Sequence, residues 1–259
     1  EAVTAAVERV IAPLGLRLDR ASPAVDARLP DGSRLHAIVP PISIDGPAMA
    51  VRRFTDAVPT LDALVSSGAV RPEGAEFLRA AVADRSNLVV TGGTGAGKTT
   101  LLNILSKEIP GDQRVVTVED AAELTISGHC IRLEARPANS DGAGQVSLEK
   151  LLRHALRLRP DRIIVGEVRG PEAIDLIAAM TTGHDGSMGT VHASTEGEAL
   201  ARLETLALSG ARRVPASTIR RQIRDGVDVL VLMARKGGER VVAAISEVGE
   251  GGVRVLYEC

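Results

Sequence analysis

Tryptophan is missing from this chain of 259 residues, and its aromatics amount to Tyr257, Phe54 and Phe77. A core must therefore be assembled from Leu, Ile, Val and Ala, and a platform of rings for stacking single-stranded bases is excluded. Cysteine is almost as scarce. Cys130 and Cys259 are far apart, which rules out a disulfide framework and metal-ligand spacing and fits a reducing cytosol. An excess of charge of one sign is lacking too: 31 basic and 33 acidic residues leave a net charge of −2. Nothing draws the chain as a whole to nucleic acid, which is not expected as a partner. No apolar run approaches the roughly 20 residues that span a bilayer, and the N-terminus carries no basic-then-apolar leader. The chain starts at Glu1 and not at Met, so a segment upstream is expected.

What is present is apolar material, 44% of the chain, enough for one large or two modest domains. The densest signal is Asn87-Leu-Val-Val-Thr-Gly-Gly-Thr-Gly-Ala-Gly-Lys-Thr-Thr-Leu-Leu-Asn-Ile-Leu105, which contains the phosphate-loop pattern G-x-x-x-x-G-K-[ST]. Leu88, Val89 and Val90 supply the strand before it, and Leu101, Leu102 and Leu105 the buried face of the helix after it. Gly92, Gly93, Gly95 and Gly97 free the backbone to turn successive N–H groups onto one anion. Thr94, Ala96 and Thr100 complete the loop and the first helical turn, where the helix dipole also favours negative charge. Lys98 is placed to reach the β- and γ-phosphates, and the Thr99 hydroxyl to take one position on Mg²⁺. The expected ligand is a nucleoside triphosphate.

Around this loop the chain reads as α/β. Val3, Val7, Val10 and Ile11 fall at helical spacing, residues 19–31 are turn-rich, and strands are expected over 34–39 and 48–54. Short helices are expected from Leu61 and over 74–83. The boundaries are set at 1–75 for a small α/β domain, 76–84 for a linker and hinge, and 85–259 for the nucleotide domain. From Asn87 onward strands alternate with helices, as in a mostly parallel sheet with helices on its faces. Strands are expected over 114–118, 162–165 and 187–191, and Thr195-Glu-Gly-Glu198 has the form of a capping box. Segments 227–233, 240–248 and 253–257, joined by Gly pairs, read as a C-terminal β-meander. Open sheets bind ligands at the carboxyl ends of their strands, where Gly92, the pair Glu119-Asp120 and Glu167 all fall.

The stretch Leu156-Arg-Leu-Arg-Pro-Asp-Arg-Ile-Ile-Val-Gly-Glu-Val-Arg169, followed by Thr182-Gly-His-Asp-Gly-Ser-Met-Gly-Thr-Val-His-Ala193, resembles the type II/type IV secretion ATPase superfamily. Within it, these blocks, together with 22–34, Gly46-Pro47, Arg52-Arg53 and 132–139, are most similar to the tight-adherence (Flp pilus) assembly ATPases, over nearly the whole chain. The resemblance implies a RecA-like P-loop NTPase domain, ATP and Mg²⁺, and a homo-hexamer. It further implies a cytoplasmic protein, peripheral at the inner-membrane face through a platform protein of a pilus or secretion machine. An N-terminal domain that closes on the ATPase domain about a hinge at 76–84 belongs to the same expectation.

Carried onto this sequence, the resemblance makes Gly92 to Thr99 the Walker A loop, Glu119-Asp120 the aspartate-box acids, Gly166-Glu167 the end of Walker B, and Gly183 to His192 the histidine box. Most Walker B strands carry a Mg²⁺-binding Asp where Gly166 stands. Metal and water positioning then fall on Glu167 and Glu119, beside Thr99. Arg132 and Arg136 are candidates for an arginine offered to a neighbouring subunit, Arg52 and Arg53 for nucleotide contacts from the N-terminal domain, and His192, with His184, for sensing the γ-phosphate. Plain structural readings stay open: Asp120 as a cap, His192 as a structural histidine, Arg132 and Arg136 as solvated charges, and Arg212, Arg213, Arg220, Arg221 and Arg224 as a solvated helix face or subunit contact. Two other functions share the loop. One is a nucleic-acid-stimulated motor, which the charge balance opposes, and the other a nucleotide-gated scaffold, which has no use for Glu167.

Overall fold

The computed structural model describes residues 2–53, 59–136, 143–210, 214–249 and 251–259. The chain divides into two compact units, Glu1–Ala57 and Val58–Cys259.

In the first unit, helix α1 (Ala2–Ile11) precedes three antiparallel strands, β1 (Ala24–Arg28), β2 (Arg34–Ile38) and β3 (Ala48–Arg52), in the order β1-β2-β3. Strict alternation fixes which face is buried: Val25, Ala27, Leu35 and Ala37 join Val7 and Ile11 in one apolar cluster. Strand β1 lies inside the stretch 19–31, which reads as turn-rich. The turn chemistry sits at its two ends, where Asp19 accepts the N–H groups of Ala21 and Ser22 and Asp31 that of Ser33. Between those turns the alternation of Val25 and Ala27 makes a strand.

The second unit begins with α2 (Leu61–Ser66) and α3 (Pro72–Ala83). The hinge expected over 76–84 is therefore corrected: it lies almost wholly in α3, which starts on a proline, a favoured first helical residue, and buries Ala75, Leu78, Ala81 and Val82. The division into units falls at 57/58 instead, outside the described residues.

The remaining elements are β4 (Leu88–Gly92), α4 (Lys98–Ser106), β5 (Val115–Glu119), β6 (Cys130–Glu134), α5 (Leu148–Ala155), β7 (Arg162–Val168), α6 (Glu172–Thr181) and β8 (Met188–His192). They are followed by α7 (Glu196–Gly210), α8 (Ala216–Gly226), β9 (Val229–Lys236), β10 (Glu239–Gly249) and β11 (Gly252–Glu258). The eight strands form one sheet in the order β11-β10-β9-β4-β8-β7-β5-β6. From β9 to β6 all neighbours are parallel, while β10 and β11 add the antiparallel meander. Alternate strand residues feed two cores: Val89, Val116, Ile163 and Val165 pack with α5 to α8, and Leu88, Val90, Val115 and Ile164 with α2 to α4. As the composition requires, both cores are aliphatic, with Tyr257 the aromatic among their buried members. Among the described residues, no helix is long and apolar enough to cross a membrane.

Candidate nucleotide site

The strand order sets the site. β4, β8, β7 and β5 are successive parallel neighbours, so their carboxyl ends bring Gly92, His192, Gly166-Glu167 and Glu119 to one edge in that order. At a strand spacing of about 4.8 Å the row from Gly92 to Glu119 is roughly 14 Å long. That is the place where open α/β sheets bind ligands.

The loop after β4 needs its glycines. Gly92, Gly95 and Gly97 all have positive φ, at 150°, 70° and 99°. A Cβ on Gly92 would stand 2.4 Å from the backbone oxygen of Met233. Gly97 is the N-cap of α4, and Lys98, Thr99 and Thr100 form the first turn, with Thr94 exposed and Ala96 buried. The Lys98 ammonium donates to the backbone oxygens of Gly92 and Gly93 at 2.9 and 3.1 Å, folded over the loop it serves. Partial burial lowers its pKa, and the nearby Glu167 carboxylate opposes that shift.

Glu119 is buried, 2% exposed. One carboxylate oxygen accepts the N–H groups of Glu123 and Leu124 at 2.8 and 2.9 Å, while the other is buried with no hydrogen-bond partner. Burial raises its pKa, against the pull of those two N–H groups and of Arg132. Glu167 differs. Its strand slips register against β8 between Val165 and Val168, so one extra residue bulges at Gly166-Glu167 and aims the acid at the edge. The Thr190 hydroxyl donates to the Gly166 oxygen at 2.8 Å and pins the bulge.

Two residues that sequence reasoning passed over hold Glu167 and Asp120. Arg169 donates to Glu167 at 2.5 Å and to Asp120 at 3.3 Å, which raises the arginine's own pKa. Its backbone is fixed in turn by Glu172, whose carboxylate accepts the N–H groups of Arg169 and Gly170 at 2.7 and 2.8 Å. The Gly170-Pro171 turn with an acid just after it was the available signal. At the start of α7 the Thr195 hydroxyl accepts the Glu198 N–H at 3.2 Å, as in a capping box, while the Glu198 carboxylate accepts the N–H of Ser194 at 2.9 Å and not that of Thr195.

His192 ends β8 directly opposite Gly92 and opens onto a pocket of about 430 Å³ lined by Ser194, Glu198, Arg202, Thr205 and Leu206. His184 is elsewhere. It precedes β8, where its loop meets the amino ends of β4 and β7 through Ser187, at the edge opposite His192. Arg132 lies exposed on edge strand β6, in register with Thr117, and Arg136 follows that strand in a bridge to Val146. Arg52 and Arg53 lie exposed at the end of β3 in the first unit. Arg220 pairs with Glu204 on the surface at 2.8 Å, as a solvated face does, whereas Arg212 and Arg213 lie outside the described residues.

Magnesium in phosphate-transfer sites is held by one or two carboxylates together with the substrate's own phosphates. The donors here fit that pattern: the Thr99 hydroxyl at the helix start, Glu167 at the strand edge, and Glu119 with its unpartnered oxygen. Among the described residues no set of three His, Cys, Asp or Glu side chains could hold a metal on its own.

Comparison with known proteins bears on the family and the fold. A family model described as type II/IV secretion system protein matches residues 2–237. A Mycobacterium tuberculosis protein named for conjugal transfer is 43% identical over 263 residues, covering 98% of this chain and 74% of that protein. The type IV secretion system protein PtlH of Bordetella pertussis is 36% identical over 243 residues, 84% of this chain and 71% of its own length. Among solved structures, the VirB11 ATPase of the Brucella suis type IV secretion system superposes with a TM-score of 0.61 at 29% identity, covering 92% of this chain and 77% of that one.

Proposed function

This chain belongs to the type II/IV secretion system protein family, and on that premise we propose that it is an ATP-hydrolysing motor of a pilus or secretion machine. The observation that carries the reading is the meeting of Lys98 and Glu167, a phosphate-binding cation and a carboxylate aimed by a bulge, at one sheet edge. A scaffold that only binds nucleotide has no need of the second. We further assign it to the tight-adherence branch, on the sequence blocks quoted above, and to a cytoplasmic hexamer held at the inner membrane by a platform protein.

In this reading the loop N–H groups and Lys98 grip the β- and γ-phosphates. Glu167 accepts a hydrogen bond from a water and holds it in line with the γ-phosphorus, with Arg169 fixing the carboxylate's direction. Thr99, Glu119 and Glu167 would hold a magnesium ion, which when bound would neutralise charge on the phosphate oxygens. His192, next to Gly92 on the neighbouring strand, would contact the γ-phosphate, a role its position beside the loop supports. Arg132 or Arg136, on the last strand of the sheet and just after it, is offered to the neighbouring subunit.

Mass photometry with ATP and Mg²⁺, joined to a subunit-mixing assay, tests this. Rings should form, and mixing Arg136→Ala with Glu167→Gln subunits should recover part of the hydrolysis that each lacks. A monomer under all nucleotide conditions would overturn the ring reading.

A further inference from the structure

The C-terminal hairpin reaches the phosphate loop. Arg240, on β10, donates its guanidinium Nε–H to the backbone oxygen of Gly95 at 3.1 Å. Its aliphatic stem covers Gly97, where an added Cβ would lie 3.2 Å from Arg240 Cδ and 3.5 Å from Met233 Cε. One side chain thus touches two of the glycines whose positive φ gives the loop its shape. Arg240 follows the last residue matched by the family model, 237, and nothing in the loop motif points to it.

We propose that Arg240 is a positioning residue for nucleotide binding, one that clamps the phosphate loop from the C-terminal hairpin; the inference rests on the ATPase reading. Glycine peptides in a loop of positive φ flip at small cost, because no Cβ restricts them. A flip of the Gly95–Ala96 peptide would turn a carbonyl oxygen toward the anion instead of an N–H. A guanidinium on the Gly95 oxygen holds that oxygen outside the cradle, and a charge-assisted bond of this kind is among the stronger ones a loop can receive. The cross-strand partner of Arg240 is Arg235. Like charges directly opposite on a sheet destabilise it, a cost that a polyanion in the adjacent loop would offset.

Amide hydrogen exchange and ADP binding on wild type, Arg240→Ala, Arg240→Lys and Arg240→Gln test the clamp. Arg240→Ala should speed exchange across 93–98 without nucleotide, and weaken ADP binding and raise the KM for ATP by roughly 10-fold, the size expected of one charged hydrogen bond. The kcat should stay within about 3-fold, since loop binding is shared by ground and transition states. Arg240→Lys should recover part of the affinity, while Arg240→Gln, which keeps the stem but not the charge, should not. Unchanged exchange in Arg240→Ala would overturn the clamp, and faster exchange with wild-type ADP affinity would overturn its role in binding. Failure of the wild type to bind ADP would strike the ATPase reading instead, with the exchange comparison still deciding whether Arg240 holds the loop.

Discussion

Gly166 faces Glu119 so closely across β7 and β5 that a Cβ built on it would stand 3.0 Å from Glu119 Cγ. The absence of an Asp at position 166 is therefore a matter of space. A buried carboxylate from the neighbouring strand fills the position that an Asp side chain at 166 would enter: its Oε1, which accepts the Glu123 and Leu124 N–H groups, would stand 3.4 Å from the added Cβ.

Restoring the commoner Asp should therefore harm the protein. Gly166→Asp forces a Cβ and a second carboxylate against Glu119, and should cost about 2–4 kcal/mol of stability. The double variant Gly166→Asp/Glu119→Ala should recover most of that loss, because the space and the charge are vacated together. Chemical denaturation of the two single variants and the double, read as a mutant cycle, measures the coupling.

Glu119 should trade stability for activity. Burial lifts its pKa above the ordinary 4.5, so the ionised form is disfavoured in the fold. The sign follows: stability falls as pH rises from the ordinary value through the raised one, and stays lower above it. Glu119→Gln keeps an oxygen for the Glu123 and Leu124 N–H groups and removes the charge. It should raise the Tm by about 2–4 °C at neutral pH, corresponding to about 1 kcal/mol. That gain should vanish below about pH 4.5, where both forms are neutral in the folded and unfolded states. Its ATPase rate should drop. Differential scanning calorimetry across pH reads the first two effects.

Arg169 should matter through Glu167. Arg169→Ala releases the carboxylate from its 2.5 Å partner, and a misplaced water-positioning acid costs on the order of 10-fold or more in kcat. Nucleotide affinity should be nearly unchanged, since Arg169 bonds to Glu167 and Asp120, not to the loop. Stopped-flow ADP binding beside steady-state hydrolysis separates the two quantities.

Gly92→Ala should be among the most damaging single substitutions in the chain. Its φ of 150° and the backbone oxygen 2.4 Å from the added methyl leave nothing flexible to move. A loss of about 3 kcal/mol or more is expected. Gly93→Ala, whose Cβ would meet nothing within 4 Å, should be far milder.

The parallel sheet, the phosphate loop and the C-terminal meander were legible in the sequence because each writes its own pattern: apolar strand runs, glycine spacing, and strands joined by glycine pairs. Edge strand β6 was not, since Cys130 to Glu134 show no clear alternation of burial. Strand β1 was hidden by the turn residues at its ends. The hinge was misplaced because glycine and proline at 68–74 were weighed as punctuation above the helix expected over 74–83; Pro72 starts that helix and Gly74 lies inside it, packed against Tyr257. Long-range relationships left no local trace at all. Arg169 on Asp120 and Arg240 on Gly95 depend on the order of the strands in the sheet, as does the separation of His184 from His192 to opposite edges of the sheet.

The central claim is turnover at the edge shared by Lys98 and Glu167. Steady-state ATP hydrolysis with Mg²⁺, measured alongside nucleotide binding for wild type, Lys98→Ala and Glu167→Gln, tests it directly. The account predicts that the wild type binds and hydrolyses, that Glu167→Gln binds without hydrolysing, and that Lys98→Ala does neither. A wild type that binds ATP and leaves it intact, or a Glu167→Gln variant that hydrolyses at the wild-type rate, would contradict it.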